Sequence, residues 1–568
     1  MAATISHLEN GTTPLNSAHT EVDSSSNIAT NLLLTRGSMD QLRSVDSYLN
    51  DAYAYRANAG NDDTTSWWNS PQKAYWIVIL SLGVCNSSDA TEILALSYVL
   101  GLDSFLSDIL NNDLAKNGGI LAGAIFLGML LGGALVGILG DEFGRRKVLL
   151  VGLLINAAAG LFSAMSTSLY VMASTRLIAG IGIGTSVPPL FSLAAELAPS
   201  NGRGVVVTVV ASFWMVGSIF VSVVGFLSFG AGQEYELSWR AFLIFCAVPS
   251  LLGAILLHQL VPESPRFLVR QGRYHEAALV VNDLAKLMGY DHASPLTAHE
   301  IEYHSDFEES DNREGLELAS NLDMAWDGVK SVLKLYTGEL AKTTVLLQVV
   351  YFCLSFGSYG LMTWINAIFQ QVNMENLYFN AFLFALANLP GNLASGMFVD
   401  SIGRKMMLVW SMSLASLAVA LFAMAVAMPD SDLRTFVIVF NACAFQAFAI
   451  AGWNVTSLLS SEHFPTQVRS TGLGICISSG RIASMVAQFV NGALIDNPVR
   501  LLLVSSFFLL AGAMAPLWLP FDMSRAPLTD SIDKNRTTRT KGLPLANRRT
   551  TREAEDAPKS SVAYSLVK

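Results

Sequence analysis

Long apolar windows separated by short polar stretches dominate the chain. Each window holds about twenty residues, the length at which an α-helix crosses a hydrocarbon layer of ~30 Å with a rise of 1.5 Å per residue. We therefore predict twelve membrane-spanning helices. They lie near residues 74–100, 119–139, 147–167, 170–196, 205–229, 240–260, 343–366, 378–399, 406–428, 433–460, 470–492 and 499–520.

Polar segments divide the chain into five predicted parts. We expect residues 1–72 and 521–568 to be disordered cytoplasmic tails. Residues 73–260 and 342–520 form an N-terminal and a C-terminal six-helix bundle, and residues 261–341 form a cytoplasmic linker with short helices. The predicted fold is all-α and membrane-embedded, with twelve transmembrane helices in two pseudo-symmetric bundles.

Composition supports a membrane protein and excludes several other classes. Hydrophobic residues make up 52% of the chain and charged residues 14%, whereas soluble domains carry roughly a quarter charged residues. The net charge of -10 comes from tails and loops, so we expect no nucleic-acid partner. The five cysteines lie inside apolar windows without zinc-site spacing, and we expect no metal or cofactor. Because catalytic spacings and a phosphate-binding loop are missing from the sequence, we predict neither an enzyme nor ATP-driven transport.

Lysine and arginine in the short loops predict the orientation of the chain. The richer set of loops holds Arg145, Arg146, Lys147, Arg203, Arg404, Lys405 and Arg469. The opposite set holds Lys116, Arg434 and Arg500. Cytoplasmic loops carry the excess of basic residues, so we place the first set and both termini in the cytoplasm. The predicted location is the plasma membrane or an endomembrane vesicle.

The two halves share an internal repeat. The segment Gly137–Arg146 matches Gly396–Lys405, with glycine, aspartate, glycine and arginine at the same offsets. A second pair supports it, since a glutamate, a proline and an arginine recur between Glu196–Arg203 and Glu462–Arg469. Both pairs fall at equivalent points of a six-span unit, which is typical of transporters built from repeated halves.

These motifs resemble those of a known superfamily. Gly137–Arg146 resembles the signature loop of the major facilitator superfamily, and Arg176–Gly182 resembles its fourth-span motif. Pro262–Arg266 is similar to a sequence shared by sugar porters and organic ion transporters. The segments that narrow the resemblance to the synaptic vesicle 2-related proteins are Ser212–Met215, Ser355–Gly360 and Gly452–Asn454. The resemblance implies the major facilitator fold and transport by alternating access.

Two departures place the chain beside the simpler members of that group. The loop between the seventh and eighth spans is short, whereas the vesicle glycoproteins carry a glycosylated domain there. Glu142 stands where the signature loop usually has a basic residue. Where the vesicle glycoproteins have paired tyrosines on the seventh span this chain has Ser358 and Tyr359, and where they have an acid on the tenth span it has Ser457. Their ligand preferences are therefore not carried over to this chain.

Ionisable residues inside spans are functional candidates, because a charge near the bilayer centre costs at least ~2.5 to 3.5 kcal/mol. Asp89 and Glu92 are three residues apart on the first span, and Arg176 on the fourth span lies at a depth that suits a pair with either. The resemblance to proton-coupled sugar porters implies a first-span acid that faces a fourth-span arginine. We predict Asp89 as the proton-coupling acid with Arg176, and Glu92 as the alternative; a static ion pair is the competing interpretation.

Arg481 and a set of aromatic residues are the predicted substrate contacts. Arg481 lies near the midplane of the eleventh span, and its forked donors suit a carboxylate or phosphate. A structural bond to the backbone or to polar side chains is the alternative. The other predicted substrate-binding residues are Trp214, Tyr351, Tyr359, Trp453 and Asn454. For each aromatic residue, plain helix packing remains an alternative.

The repeated loops predict a cytoplasmic gate. Its residues are Asp141, Arg145, Glu196, Arg203, Asp400, Arg404, Glu462 and Arg469. Ion pairs among them would hold one state of a two-domain machine closed. Helix capping and topology signals are the alternative interpretation.

We predict a secondary active transporter for a small organic anion or zwitterion, coupled to protons by symport. Its partners are the small-molecule substrate, protons and the lipid bilayer, and we expect a monomer. Two alternatives stay open: a carrier for organic cations or sugars, and a non-transporting receptor of vesicle membranes on the same fold.

Overall fold

The computed structural model describes residues 44–59, 73–200, 202–230, 237–290, 295–303, 332–465 and 468–519. Within these ranges all regular elements are helices. The predicted tails beyond 44–59 and 519, and the linker over 304–331, lie outside the described residues. Twelve of the described helices or helix pairs are long and apolar enough to cross a membrane, as predicted.

Within the described residues, the first half and the linker that follows it contain α1 to α10. They are α1 (Val45–Ala59), α2 (Lys73–Val99), α3 (Asp103–Asp108), α4 (Gly119–Phe143), α5 (Arg145–Ala164), α6 (Leu169–Glu196), α7 (Arg203–Phe229), α8 (Trp239–Leu260), α9 (Pro265–Arg270) and α10 (Tyr274–Leu287). A π-helical turn, Leu114–Gly118, precedes α4. Spans 1 to 6 are α2 and α4 to α8.

Within the described residues, the second half contains α11 to α17. They are α11 (Gly338–Gln371), α12 (Leu377–Leu386), α13 (Asn388–Ile402), α14 (Arg404–Val426), α15 (Asp432–His463), α16 (Arg469–Leu494) and α17 (Pro498–Met514). A 3-10 turn, Ala515–Trp518, follows α17. Span 7 is α11, span 8 combines α12 and α13, and spans 9 to 12 are α14 to α17.

Span 8 is broken, whereas the sequence predicted one continuous helix over 378–399. The break falls at Ala387, between α12 and α13. Pro390 lies in the first turn of α13, where its missing N–H costs no helical hydrogen bond. The proline is therefore compatible with a restart of the helix at Asn388.

Local sequence explains how several helices begin. Ser168, Ser238 and Ser431 precede spans 4, 6 and 10, and each hydroxyl accepts a hydrogen bond from a backbone N–H in the first turn. Gly144 and Gly403 separate spans 2 and 3 and spans 8 and 9, with φ of 95° and 90°. Residues with a side chain rarely adopt that conformation, so the repeated glycine of the two charged loops forms the same turn in each half.

The expectation of a disordered tail over 1–72 differs from the structure at α1. Tyr48, Leu49 and Ala52 are buried against a cluster that includes Leu197 and Val281, beside the linker helix α10. Residues at positions i, i+1 and i+4 lie on one face of a helix, so this short apolar face anchors α1 on the first half.

The two halves meet near one end of the bundle. Asn366 at the end of span 7 donates a hydrogen bond of 3.2 Å to Ser97 Oγ at the end of span 1. The rings of Tyr98 and Tyr378 are stacked with centroids 6.4 Å apart. These contacts lie at the ends of the spans that are distant from the two glycine turns. The structure is thus closed on the side away from the charged loops.

Candidate functional site

A central cavity of about 260 Å³ lies between the two halves. Spans 1, 2, 4 and 5 line it from the first half and spans 7, 10 and 11 from the second. All six residues predicted to bind substrate line this cavity, namely Trp214, Tyr351, Tyr359, Trp453, Asn454 and Arg481. The packing of the spans therefore brings together residues that are up to 267 positions apart in the sequence, from Trp214 to Arg481.

Three aromatic side chains form one wall of the cavity. The Trp453 ring lies edge-on to Tyr359, with centroids 5.6 Å apart, and to Tyr351 at 6.1 Å. The Trp453 Nε1–H donates to Ser358 Oγ at 3.0 Å, and the Tyr351 hydroxyl is 3.0 Å from Ser460 Oγ. The protein itself satisfies these polar atoms, so the rings are fixed and their apolar surfaces remain for a ligand. The sequence analysis did not predict that Ser358 and Ser460 would hold these rings. Each lies two helical turns after a cavity residue on its own span, Tyr351 and Trp453 respectively.

Asn454 lines the cavity, but its amide group also holds two spans together. Its Nδ2 donates to Asn392 Oδ1 at 2.7 Å and to Ser395 Oγ at 2.8 Å, both on α13. The amide donors are thus engaged within the protein, which supports a packing role beside the predicted contact with substrate.

Asp89 and Arg481 are the charged residues of the cavity wall, and they come from opposite halves. The Asp89 side chain is 3% exposed, and the hydroxyls of Ser88 and Ser186 lie 3.4 Å from its Oδ1. Asp89 Oδ2 has no hydrogen-bond partner in the described part of the chain. Arg481 is the cation that shares this cavity wall with Asp89.

The Arg481 guanidinium is available to a ligand. Its Cζ lies 5.6 Å from the centroid of the Tyr359 ring, within the range of a cation–π interaction. Within the described ranges no ion pair or hydrogen bond engages its nitrogens. A guanidinium without a protein acceptor on a cavity wall suits an incoming carboxylate, which accepts two parallel hydrogen bonds.

Arg176 pairs with Glu92 rather than with Asp89, the partner that we placed first. Arg176 Nη1 lies 2.8 Å from Glu92 Oε1, and the two side chains are 1% and 2% exposed. Three residues of an α-helix turn through about 300°, so Asp89 and Glu92 point roughly 60° apart. That difference directs Asp89 toward the cavity and Glu92 toward the interior of the first half, where it meets span 4.

One arginine–glutamate pair among the predicted gate residues recurs in both halves. Arg145 Nε lies 3.7 Å from Glu196 Oε2, and Arg404 Nε lies 3.3 Å from Glu462 Oε1. The remaining gate arginines also correspond, because Arg203 Nε and Arg469 Nε each donate to a backbone carbonyl at the end of the preceding span, at 3.0 and 3.3 Å. The side chains of Asp141 and Asp400 lie outside the described part of the structure.

Residues beyond the predicted gate extend it in the first half. Ser264 Oγ donates to the Glu196 carboxylate, and the Glu263 carboxylate accepts from the Arg146 backbone N–H at 3.0 Å. Ser264 and Glu263 both belong to the Pro262–Arg266 motif. The motif was therefore the sequence feature from which these two gate residues could have been predicted.

The helix α1 reaches the same region. Asp46 accepts two hydrogen bonds from Arg266 Nη2, at 2.8 and 2.9 Å, and lies 3.8 Å from Arg203 Nη2. Asn50 and Ser200 exchange hydrogen bonds of 2.6 and 2.9 Å. The segment before span 1 is therefore tied to the gate of the first half.

A comparison with protein families gives one match over most of the chain. The family model described as "Sugar (and other) transporter" matches residues 76–519. This range contains all twelve spans except the first three residues of span 1.

Relatives of known name agree with this family. Organic cation/carnitine transporter 7 of Arabidopsis thaliana is 29% identical over 481 residues, covering 79% of this chain and 92% of that protein. Synaptic vesicle glycoprotein 2A of Homo sapiens is 23% identical over 582 residues, covering 78% of this chain and 76% of the glycoprotein. The predicted resemblance to vesicle 2-related proteins is thereby confirmed.

Solved structures share the fold. The xylose transporter XylE from E. coli, in a partially occluded inward-open conformation, aligns with a TM-score of 0.61 and 17% identity, covering 81% of this chain and 99% of XylE. A crystal structure of a D-xylose–proton symporter aligns with a TM-score of 0.59 and 18% identity, covering 79% and 97%. The family and these named carriers are membrane transporters and not enzymes, as predicted. The chain is a multi-pass membrane protein of the major facilitator fold and belongs to the "Sugar (and other) transporter" family.

Proposed function

We propose that the chain is a secondary active transporter that moves a small organic anion together with a proton by alternating access. The observation that carries this proposal is the placement of Asp89 and Arg481 on the wall of one cavity, from opposite halves. A zwitterion that presents a carboxylate to Arg481 belongs to the same substrate class.

Charge competition links the proton to the anion. An ionised Asp89 on the same cavity wall would attract the Arg481 guanidinium and compete with a substrate carboxylate for it. When Asp89 takes up a proton, that competition ends and Arg481 binds the substrate through two parallel hydrogen bonds. Proton and anion therefore bind cooperatively, which is the condition for symport.

The aromatic wall favours a flat substrate. Tyr359, Trp453 and Trp214 offer ring surfaces to a cavity of about 260 Å³, a volume that suits a molecule of one or two rings. An aromatic carboxylate would stack on these rings while its charge meets Arg481. The cationic group of a zwitterion would lie against the same ring faces.

Alternating access follows from the two-half construction. The halves are joined on the side away from the charged loops, and the pairs Arg145–Glu196 and Arg404–Glu462 lie on the other side. Each pair joins residues of the same half, and we assign these residues to a cytoplasmic gate whose contacts between the halves would form when the halves rock together on this side. The distribution of basic loop residues supports the cytoplasmic assignment.

An organic cation is the second candidate substrate. Asp89 beside aromatic faces would suit an ammonium group, and a plant relative is named an organic cation/carnitine transporter. In that case a proton on Asp89 would compete with the substrate instead of assisting it. The two candidates therefore predict opposite effects of acid on substrate binding.

Uptake into proteoliposomes distinguishes these functions. The purified chain is tested with an aromatic monocarboxylate such as nicotinate, a quaternary ammonium compound and xylose, with and without an imposed pH gradient. The proposal expects accumulation of the carboxylate that depends on an acidic outer solution. Accumulation of only the cation or only the sugar would contradict the anion proposal and identify that compound class as the substrate. Binding without any transport would favour a receptor.

A further inference from the structure

The Glu92–Arg176 pair is separated from the central cavity. Asp89 lines the cavity, whereas the residues around Glu92 belong to spans 3, 4 and 6 of the first half. Glu92 is 1% exposed, so a proton from the cavity reaches it only through other polar groups. Residues of span 3 lie beside both Asp89 and Glu92, and they indicate the path that a proton would take between the two carboxyl groups.

Asn156 on span 3 lies between the levels of the two carboxyl groups. A β-carbon on Gly152, one turn before Asn156, would lie 3.2 Å from Cβ of Ser186, whose hydroxyl is 3.4 Å from Asp89 Oδ1. A β-carbon on Gly160, one turn after Asn156, would lie 3.1 Å from Glu92 Oε2. Positions four apart share a helix face, so Gly152, Asn156 and Gly160 form one row that passes from Asp89 to Glu92.

The Asn156 side-chain amide is buried and makes no hydrogen bond among the described residues. Asn156 is 1% exposed, and neither its Oδ1 nor its Nδ2 has a hydrogen-bond partner among the described residues. Asp89 Oδ2 and Arg176 Nε share that property. Buried polar atoms in proteins are hydrogen-bonded to protein or to ordered water, and an amide both donates and accepts. Unpartnered atoms of three spans therefore converge on one buried region.

We propose that Asn156 holds a water molecule that carries a proton from Asp89 to Glu92. This inference rests on the proposed proton symport. The O–H bond of the Asp89 carboxylic acid breaks, the water accepts that proton and gives one of its own to Glu92. Asp89 becomes a carboxylate, Glu92 becomes neutral, and the water is regenerated.

The charged and titratable groups around Asp89 and Glu92 determine what the proton transfer changes in the protein. Arg176 faces Glu92 from span 4, Cys246 is buried on span 6, and Arg481 of span 11 shares the cavity wall with Asp89. Once Glu92 is neutral, Arg176 loses its ion-pair partner and the contact between spans 1 and 4 weakens. Because Asp89 is then again a carboxylate that competes for Arg481, the relay couples a weaker hold on the substrate to a change inside the first half.

The test compares two transport modes of the variant Asn156→Leu in proteoliposomes. Gradient-driven accumulation of the carboxylate requires net proton movement, whereas counterflow exchange at equal pH on both sides does not. We expect accumulation to fall by about 10²-fold, the lower range for a positioned proton-transfer group, while exchange falls far less. Asn156→Ser, which replaces the amide with a hydroxyl that can still hydrogen-bond to water, is expected to retain more of the accumulation than Asn156→Leu.

A matched control removes a buried amide elsewhere. Asn441 on span 10 is 6% exposed and donates to the Val437 carbonyl at 2.8 Å, and Asn441→Leu is expected to keep gradient-driven accumulation. If Asn156→Leu loses accumulation and exchange equally, or accumulates the carboxylate as the wild type does, the relay is contradicted. The proposed symport is not affected by either outcome. If the wild-type chain itself does not accumulate the carboxylate under a pH gradient, the proposed symport falls and the relay with it. If Asn156→Leu does not fold, Asn156→Ser decides, since the relay requires it to keep part of the gradient-driven accumulation, and complete loss of accumulation in an Asn156→Ser variant that folds normally contradicts the relay.

Discussion

Arg176 on the fourth span and Glu92 on the first span form an ion pair of 2.8 Å in which both side chains are nearly inaccessible. Two charges in this setting have lost their hydration, so each depends on the other. Asp89, less than one helical turn before Glu92, meets the cavity instead. The first span therefore presents one acid to the substrate and one to the protein interior.

Removal of Glu92's charge is predicted to destabilise the first half. Glu92→Gln leaves the Arg176 guanidinium buried without a counter-ion, which typically costs about 3–5 kcal/mol. The measurement is the thermal unfolding midpoint in detergent. The double variant Glu92→Gln/Arg176→Met, which removes both charges, is predicted to recover much of the loss. A single variant as stable as wild type would show that the pair is not a buried ion pair in the folded protein.

The Arg481 charge is predicted to act on substrate affinity and not on stability. Arg481→Ala removes hydrogen bonds to a charged ligand, worth about 1.5–3 kcal/mol, and we expect a loss of about 10- to 100-fold in affinity for the carboxylate. The unfolding midpoint stays close to wild type because the guanidinium has no ion-pair partner in the described ranges. Arg500→Ala, at the start of span 12, is the control. Unchanged affinity in Arg481→Ala would remove the substrate role.

The aromatic wall is predicted to contribute less than the charge. Trp453→Leu keeps an apolar side chain but loses ring stacking, worth about 0.5–1.5 kcal/mol beyond area burial. Affinity for an aromatic carboxylate should therefore fall by roughly 2- to 12-fold, and affinity for an aliphatic carboxylate should change less. Trp410→Leu, an exposed residue on span 9, is the matched control. Equal losses for both substrates would favour a packing role.

Docking of α1 is predicted to depend on its apolar face more than on its ion pairs. Asp46 is about half exposed, and such pairs are worth about 0–1 kcal/mol, whereas burial of a leucine contributes about 1.5–3 kcal/mol. Leu49→Ser should therefore increase cleavage within 45–59 by an added protease, and Asp46→Ala should change it little. The reverse order would show that the charges hold the helix.

The sequence predicted the spans closely because the bilayer thickness limits their length. Predicted and observed ends of span 4 differ by one residue, 170–196 against Leu169–Glu196. The glycines of the two charged loops were likewise informative, since a positive φ requires them. All six residues predicted to bind substrate line one cavity, because they lie on spans 5, 7, 10 and 11, which face it.

Other features depended on packing that a single sequence does not encode locally. The choice of Arg176 between Asp89 and Glu92 is decided by a rotation of about 60° about the first span, and only the contact with spans 3, 4 and 6 sets that rotation. The docking of α1 joins Asp46 to Arg266, 220 positions away. Neither a charge pattern nor a hydrophobic period of the segment identifies so distant a partner.

The central claim, that protonation of Asp89 frees Arg481 for an anion, is tested most directly with Asp89→Asn in proteoliposomes. The variant imitates the protonated acid and keeps the size of the side chain. We measure nicotinate uptake and the accompanying change in internal pH in the same vesicles. The account predicts nicotinate binding that no longer depends on pH, retained exchange, and loss of both proton uptake and gradient-driven accumulation. Proton-coupled accumulation that equals wild type in Asp89→Asn would contradict it.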